Sequence, residues 1–143
     1  MENCFVIIDS NFLFLPIQFK IDYLEDIKST LGGKTKIIYY QQIFDELSSK
    51  QIREPNARKF EMDLRASLQY LEKKKENYNI QFINKKKNSN ETTDDFLITE
   101  CVNYRTELGK VYLATNDSNL RKKANEQGIH TIFLKQKSYL IFD

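Results

Sequence analysis

Five short apolar runs alternate with stretches of helical spacing, and this alternation limits the fold more than any other feature of the chain. The runs are Cys4-Phe5-Val6-Ile7-Ile8, Lys36-Ile37-Ile38-Tyr39-Tyr40, Asn79-Ile80-Gln81-Phe82-Ile83, Lys110-Val111-Tyr112-Leu113-Ala114 and His130-Thr131-Ile132-Phe133-Leu134. Their length and β-branched content suit strands, and the first suits a strand covered on both faces. Between them lie amphipathic segments. Ile21, Leu24, Ile27 and Leu31 recur at steps of three and four, which predicts a helix over residues 17–31 closed by Gly32-Gly33. A short helix follows the second strand, with Ile43, Phe44 and Leu47 on its buried side and Glu46 on another. Pro55-Asn56 opens a longer one, with Phe60, Leu64, Leu68 and Leu71 on one face and Lys73-Lys74-Lys75 at its end.

Residues 85–93 are polar and turn-rich and read as a loop. Thr92 or Thr93 caps the next helix, expected over about residues 94–107, with Phe96, Leu97, Cys101, Val102 and Leu108 as its apolar side. Thr115-Asn116-Asp117-Ser118 is a turn and a cap, and the helix over 119–127 stops at Gly128. Residues 139–142 are open between a last short strand and irregular packing. The order β-α-β-α-α-β-α-β-α-β implies a three-layer α/β/α fold around a mostly parallel sheet of about five strands. At 143 residues, a single domain spanning 1–143 is expected.

Composition removes several function classes. Glycine and proline are scarce, and no Gly-rich phosphate loop is present. Cys4 and Cys101 lack CxxC partners, and with the single His130 they make no convincing zinc set; small buried hydrophobes are the simpler role. The longest apolar runs are strand-like, so no membrane span or signal peptide is read, and a reducing, cytoplasmic setting is the default. The net charge of +2 does not by itself announce a nucleic-acid binder.

The acids are more telling. Asp9 ends the first strand, Glu46 lies in the helix after the second, Asp94-Asp95 starts the helix after the third, and Asp117 follows the fourth. Strand ends and the helices that leave them share one edge of a parallel sheet, where such folds hold ligands. Taken singly, each acid has a simpler role: Asp9 as a cap with Ser10 and Asn11 as turn residues, Asp94 and Asp117 as charges at helix N-termini, Glu46 as a solvated residue beside Asp45. Taken as a set, they point to function. Two unit charges about 5 Å apart repel by roughly 3 kcal/mol at an effective dielectric near 20. A true cluster therefore calls for a hard divalent cation held by oxygen.

Four segments make the chain recognisable: Val6-Ile7-Ile8-Asp9-Ser10-Asn11-Phe12-Leu13, Asp45-Glu46-Leu47, Thr93-Asp94-Asp95-Phe96-Leu97-Ile98, and Leu113-Ala114-Thr115-Asn116-Asp117-Ser118-Asn119-Leu120. With them the chain resembles the PIN-domain family of metal-dependent ribonucleases. The tail Phe133-Leu134-Lys135-Gln136-Lys137-Ser138-Tyr139-Leu140 adds a likeness to the members that process ribosomal RNA and to their small archaeal relatives. The first and last segments are specific; the Glu46 match is weak. The resemblance implies that Asp9, Glu46, Asp94 and Asp117 are the catalytic acids, holding one or two Mg²⁺ or Mn²⁺ ions, with Asp95 the alternative to Asp94. It implies that Ser10, Asn11, Thr115 and Asn116 support those carboxylates. Ser10 stands where the family more often has Thr, and Asn119 where some relatives carry another acid. The implied reaction is hydrolysis of an RNA phosphodiester to 5′-phosphate and 3′-hydroxyl ends.

Basic runs flank these acids. Lys85-Lys86-Lys87 precede Asp94, and Arg121-Lys122-Lys123 follow Asp117. A solvated face is the simpler reading of each run. Their position next to the acids makes Lys85, Lys86, Lys87, Arg121 and Lys122 the expected RNA contacts. Tyr78, Phe82 and Tyr139 could stack on bases, although core packing suits Phe82 better.

The leading expectation is thus an endoribonuclease acting in RNA maturation, with a homodimer and a ribosome-assembly partner in keeping with the family. The alternatives are an RNA- or protein-binding module that cuts little, and a toxin nuclease paired with an antitoxin. A phosphoacceptor receiver domain also places an aspartate at a strand end, but it needs an acidic pair near the amino terminus, where Glu2 stands alone.

Overall fold

The computed structural model describes residues 3–105 and 109–143. Its centre is a six-stranded sheet in the order β3-β2-β1-β4-β5-β6. The strands are β1 (Asn3–Ile8), β2 (Lys36–Tyr40), β3 (Ile80–Ile83), β4 (Gly109–Ala114), β5 (His130–Lys135) and β6 (Tyr139–Phe142). All neighbours run parallel except β6, which turns back antiparallel to β5. The tail is therefore a sixth strand, one more than the five expected.

The helices complete a three-layer fold. They are α1 (Leu15–Gln18), α2 (Tyr23–Leu31), α3 (Gln41–Arg53), α4 (Ala57–Lys74), α5 (Thr93–Tyr104) and α6 (Ser118–Glu126). A 3-10 turn, Ser10–Phe14, joins β1 to α1. The end expected for the fifth helix, at Glu107 with Leu108, lies outside the described residues, as does Glu2.

β1 lies between β2 and β4 and is sealed on both faces. Val6, Ile7 and Ile8 are fully buried against Ile37, Ile38, Val111 and Leu113. Burying such aliphatic side chains contributes roughly 1.5–3 kcal/mol each before entropy. Register then fixes the site: Ile8 pairs with Ala114, and the Asp9 N–H donates to the Ala114 carbonyl at 2.9 Å. The ends of β1 and β4 are thereby level, and Asp9 faces Thr115 across the edge.

Four expectations change. The helix over 17–31 is two helices. Lys20 adopts a left-handed φ of 57°, and the Asp22 side chain caps a new start at α2. The apolar spacing runs through the break, so periodicity alone hid it. The helix after β2 is long, 13 residues, and its second half is polar with no apolar stripe, so apolar spacing marks only its first half. On α4, Leu68 is exposed at 41% while Ser67 is buried, so the inward face is rotated from the one expected. The reason is that α4 packs on α1, the 3-10 turn and α3 rather than flat on the sheet. Phe82, expected in the core, is 52% exposed at the edge strand β3, where its ring stacks on Tyr39 at 5.5 Å. Cys101 is fully buried, as expected of a small hydrophobe; Cys4 is half-buried.

Candidate active site

Asp9 is held from three sides. Its Oδ1 accepts the Ser10 N–H at 2.7 Å, and its Oδ2 accepts the Thr115 hydroxyl at 2.7 Å and the Asn11 amide at 3.2 Å. It is 6% exposed. The Asn11 amide is in turn fixed, since its Oδ1 accepts the Asn116 N–H at 3.0 Å. Asn116 ties this turn to β5 through the Leu134 N–H, at 2.8 Å. The same carboxylate that caps the 3-10 turn also faces the crevice at the sheet edge.

The other acids reach that crevice from separate elements. Asp117 caps α6, accepting the Asn119 and Leu120 N–H groups through Oδ1, which leaves Oδ2 toward solvent. Asp94 sits in the first turn of α5, behind the Thr92 cap. Glu46 lies midway along α3 and faces the crevice rather than open solvent. Its Oε2 is buried and has no hydrogen-bond partner among the described residues. Asp95, the alternative to Asp94, is exposed and does not line the crevice.

These carboxylates feel one another. Burial raises the Asp9 pKa above the ordinary aspartate range; bonds from Thr115 and Ser10 oppose this, and the charges of Asp94 and Asp117 add to it. Burial also raises Glu46, helped by Asp9 and Asp94 and opposed by Lys50 and Arg53. Asp94 is raised by burial and then by Asp117, with Lys123 opposing. Like-charge coupling among four acids from four strand-end segments requires that they share a neighbourhood. Yet among the described residues no three His, Cys, Asp or Glu side chains stand close enough to form a ready cage for an ion. They surround an open crevice of about 470 Å³.

The basic runs are less free than their sequence suggests. Lys85 pairs with the buried Glu100 at 2.8 Å, and Lys86 pairs with Asp45 at 3.2 Å. The Lys87 N–H donates to Gln42 at 3.0 Å, and Gln42 also holds Thr93. This loop is thereby strapped to α3 and fixes the start of α5, hence Asp94. Arg121 lies over the Phe133 ring at 4.1 Å and donates to the Asn116 carbonyl at 3.2 Å. Lys122 is exposed beside it. Tyr78 bonds Glu25 at 2.6 Å, between α2 and the end of α4. Sequence reading missed Lys50 and Lys59, which line the crevice from α3 and α4. Lys50 follows Glu46 by one helical turn, and that spacing was the available signal.

A family model described as a PIN-like domain matches residues 6–137. Among solved structures, the chain is similar to one described as the PIN domain endonuclease Utp24, with 22% identity and a TM-score of 0.68 over 97% of this chain and 90% of that one. It is also similar to a domain of a functionally unknown protein from Methanocaldococcus jannaschii, with 17% identity and a TM-score of 0.59 over 97% of this chain and 99% of that one. At such identities these two likenesses establish the fold alone. No curated protein sequence matches the chain. No helix among the described residues is long and apolar enough to cross a membrane.

Proposed function

Because the chain belongs to the PIN-like domain family, we propose that it is a divalent-metal-dependent endoribonuclease acting in RNA processing, with ribosomal RNA the first substrate to try. One observation carries this reading: carboxylates from four successive strand-end segments line one crevice, and three of them, Asp9, Glu46 and Asp94, have their proton affinity raised by burial and by neighbouring acids.

The donor set fits a hard cation. It is all oxygen, it is repulsive when empty, and it includes a buried Glu46 oxygen with no partner among the described residues. Asp9, Glu46, Asp94 and Asp117 would hold Mg²⁺ or Mn²⁺, with Asp95 in reserve beside Asp94. A bound ion would supply a water of lowered pKa and offset charge on the phosphoryl oxygens. Thr115, Asn11 and Ser10 aim Asp9, and each donates a hydrogen bond that favours the charged carboxylate and offsets part of the cost of its burial. Asn116 keeps Asn11 and β5 in register. Water attacking the phosphodiester in line leaves 5′-phosphate and 3′-hydroxyl ends. Arg121 and Lys122, which follow Asp117, and Lys85, Lys86 and Lys87, which precede Asp94, would meet the RNA backbone outside the crevice, since none of them lines it.

A second reading, an RNA-binding module that cuts little, draws on the distance between the acids, which form no ready cage among the described residues. One experiment separates the two. End-labelled RNA with a stem and a single-stranded segment is incubated with Mn²⁺, Mg²⁺ or EDTA. Asp9→Asn and Asp117→Asn, purified identically, serve as controls. Metal-dependent cleavage lost in both variants, with unchanged circular dichroism, is the expected result. Binding without metal-dependent cleavage would favour the module.

A further inference from the structure

Gln42 is buried without belonging to the apolar core. It is the second residue of α3 and only 7% exposed. Burying an amide is unfavourable unless partners replace its water. Here three partners do. The Gln42 N–H donates to the Lys85 carbonyl at 3.3 Å, its Oε1 accepts the Lys87 N–H at 3.0 Å, and its Nε2 donates to the Thr93 hydroxyl at 3.3 Å. Lys87 dictates the sense of the amide. A backbone N–H needs an acceptor, so the oxygen faces it and the NH₂ group is left for Thr93. Thr93 can serve because Thr92, not Thr93, caps α5.

These bonds connect two of the acids. Glu46 lies four residues after Gln42 on α3, hence one turn along the same face. Asp94 follows Thr93 directly in the first turn of α5. Gln42 therefore joins the helix that carries Glu46 to the residue beside Asp94, and both acids line the crevice. The other ties of the 85–93 loop act elsewhere. Lys86 pairs with Asp45, and Lys85 with Glu100, more than a turn further along α5 than Asp94. Glu91 closes on Asn88 within the loop. A glutamate in place of Gln42 could accept from both partners, with the Thr93 hydroxyl turned to donate. It would, however, put a like charge one turn from Glu46. The neutral amide makes the same link without adding to the repulsion.

We infer that Gln42 is a positioning residue of the candidate active site, fixing Asp94 against Glu46 and so setting how tightly the acids hold a divalent cation. The inference rests on the endoribonuclease reading and adds to it a side chain that does not itself line the crevice.

The test is a calorimetric titration of Mn²⁺ into wild type, Gln42→Met and Thr93→Val, alongside Mn²⁺-dependent cleavage of labelled RNA. Gln42→Met keeps the length and loses both side-chain bonds; Thr93→Val keeps the shape and loses one. Loss of a group bonded directly to a metal ligand typically weakens binding about 10–100-fold. Gln42 acts one residue away from Asp94, so Gln42→Met should weaken Mn²⁺ binding about three- to tenfold, and Thr93→Val less. The Mn²⁺ needed for half-maximal cleavage should rise by the same factor, while KM for RNA at saturating Mn²⁺ changes by less than about twofold. Thr93→Ser should restore wild-type binding. The double variant should match Gln42→Met, because the bond to Thr93 is already lost there. Gln69→Met, the same change at an exposed position of α4, should alter nothing. In the metal-free protein, hydrogen exchange over residues 85–95 should quicken in Gln42→Met. Melting curves report folding; should Gln42→Met melt below the assay temperature, the Thr93→Val and Thr93→Ser pair decides. Wild-type Mn²⁺ affinity in Gln42→Met, or Thr93→Ser as weak as Thr93→Val, would overturn the positioning role alone. Wild type that binds no Mn²⁺ and cuts no RNA would overturn the underlying nuclease reading, and this role with it.

Discussion

Asp9 and Glu46 face the same crevice but are held in opposite ways. Asp9 has both oxygens occupied, by Ser10, Asn11 and Thr115. Glu46 has a buried oxygen with no hydrogen-bond partner among the described residues. The first arrangement fixes one carboxylate in place and offsets part of the cost of burying its charge. The second is unfavourable by itself, since a buried polar atom without a partner costs about 1–3 kcal/mol and a charged one more. The contrast suggests a division of labour. Asp9 is positioned in advance, whereas under the proposed function Glu46 has an oxygen left to coordinate a cation.

The sharpest way to break this contrast is Asp9→Asn. It should remove cleavage by more than the roughly 10–100-fold that typically follows loss of a group standing behind a metal ligand. Rates from single-turnover cleavage, with circular dichroism as the folding check, measure this. Thr115→Val comes next. The Thr115 hydroxyl donates to Asp9 and accepts the Asp117 N–H, so its loss loosens two acids at once. Cleavage should fall about 10–100-fold with a matching rise in the Mn²⁺ concentration required. Cleavage and metal dependence equal to wild type would mean that Asp9 needs no such support.

Glu46→Gln should act in two directions. It should lower cleavage and yet stabilise the metal-free protein, by about 0.5–2 kcal/mol in denaturant melts at neutral pH. The pH dependence has a definite sign. Glu46 has a raised pKa in the folded protein, so the folded state binds more protons than the unfolded one above the ordinary glutamate range. Its contribution to stability is complete at low pH and is lost as pH rises through the raised value. The stability gap between Glu46→Gln and wild type should thus be small near pH 4 and widen toward pH 7. Using the difference between the two proteins cancels Asp22, Asp45 and Asp63, whose lowered values act in the other direction. The smallest expected effect is that of Lys86→Gln. Its exposed pair with Asp45 contributes about 0–1 kcal/mol, so melting should barely move, and any loss of RNA affinity reports contact with the backbone.

The same division explains what could be read from the chain beforehand. Asp9, Asp94 and Asp117 sit within local motifs, strand end followed by turn and helix cap, so their common edge follows from the order of elements. The strap that holds Asp9 is also local, except for the step from Thr115 back to Asp9. That step depends on β1 and β4 being neighbours, which β-α alternation makes natural but does not dictate. Glu46 was the weak member because its orientation depends on how α3 rotates against the sheet edge. Lys50 was legible only through its one-turn spacing from Glu46, and Lys59 not at all: it reaches the crevice because α4 crosses α1 and α3, a tertiary arrangement with no periodic signature. The break at Lys20 was invisible for the opposite reason, since the apolar period continues through it.

The most direct measurement is a calorimetric titration of Mn²⁺ into the metal-free protein, in parallel with Asp9→Asn and Glu46→Gln. The account predicts saturable binding to wild type with a rise in melting temperature, and loss or marked weakening of both in each variant. Wild type that binds no Mn²⁺, or variants that bind it as wild type does, would contradict the claim that these acids share a cation.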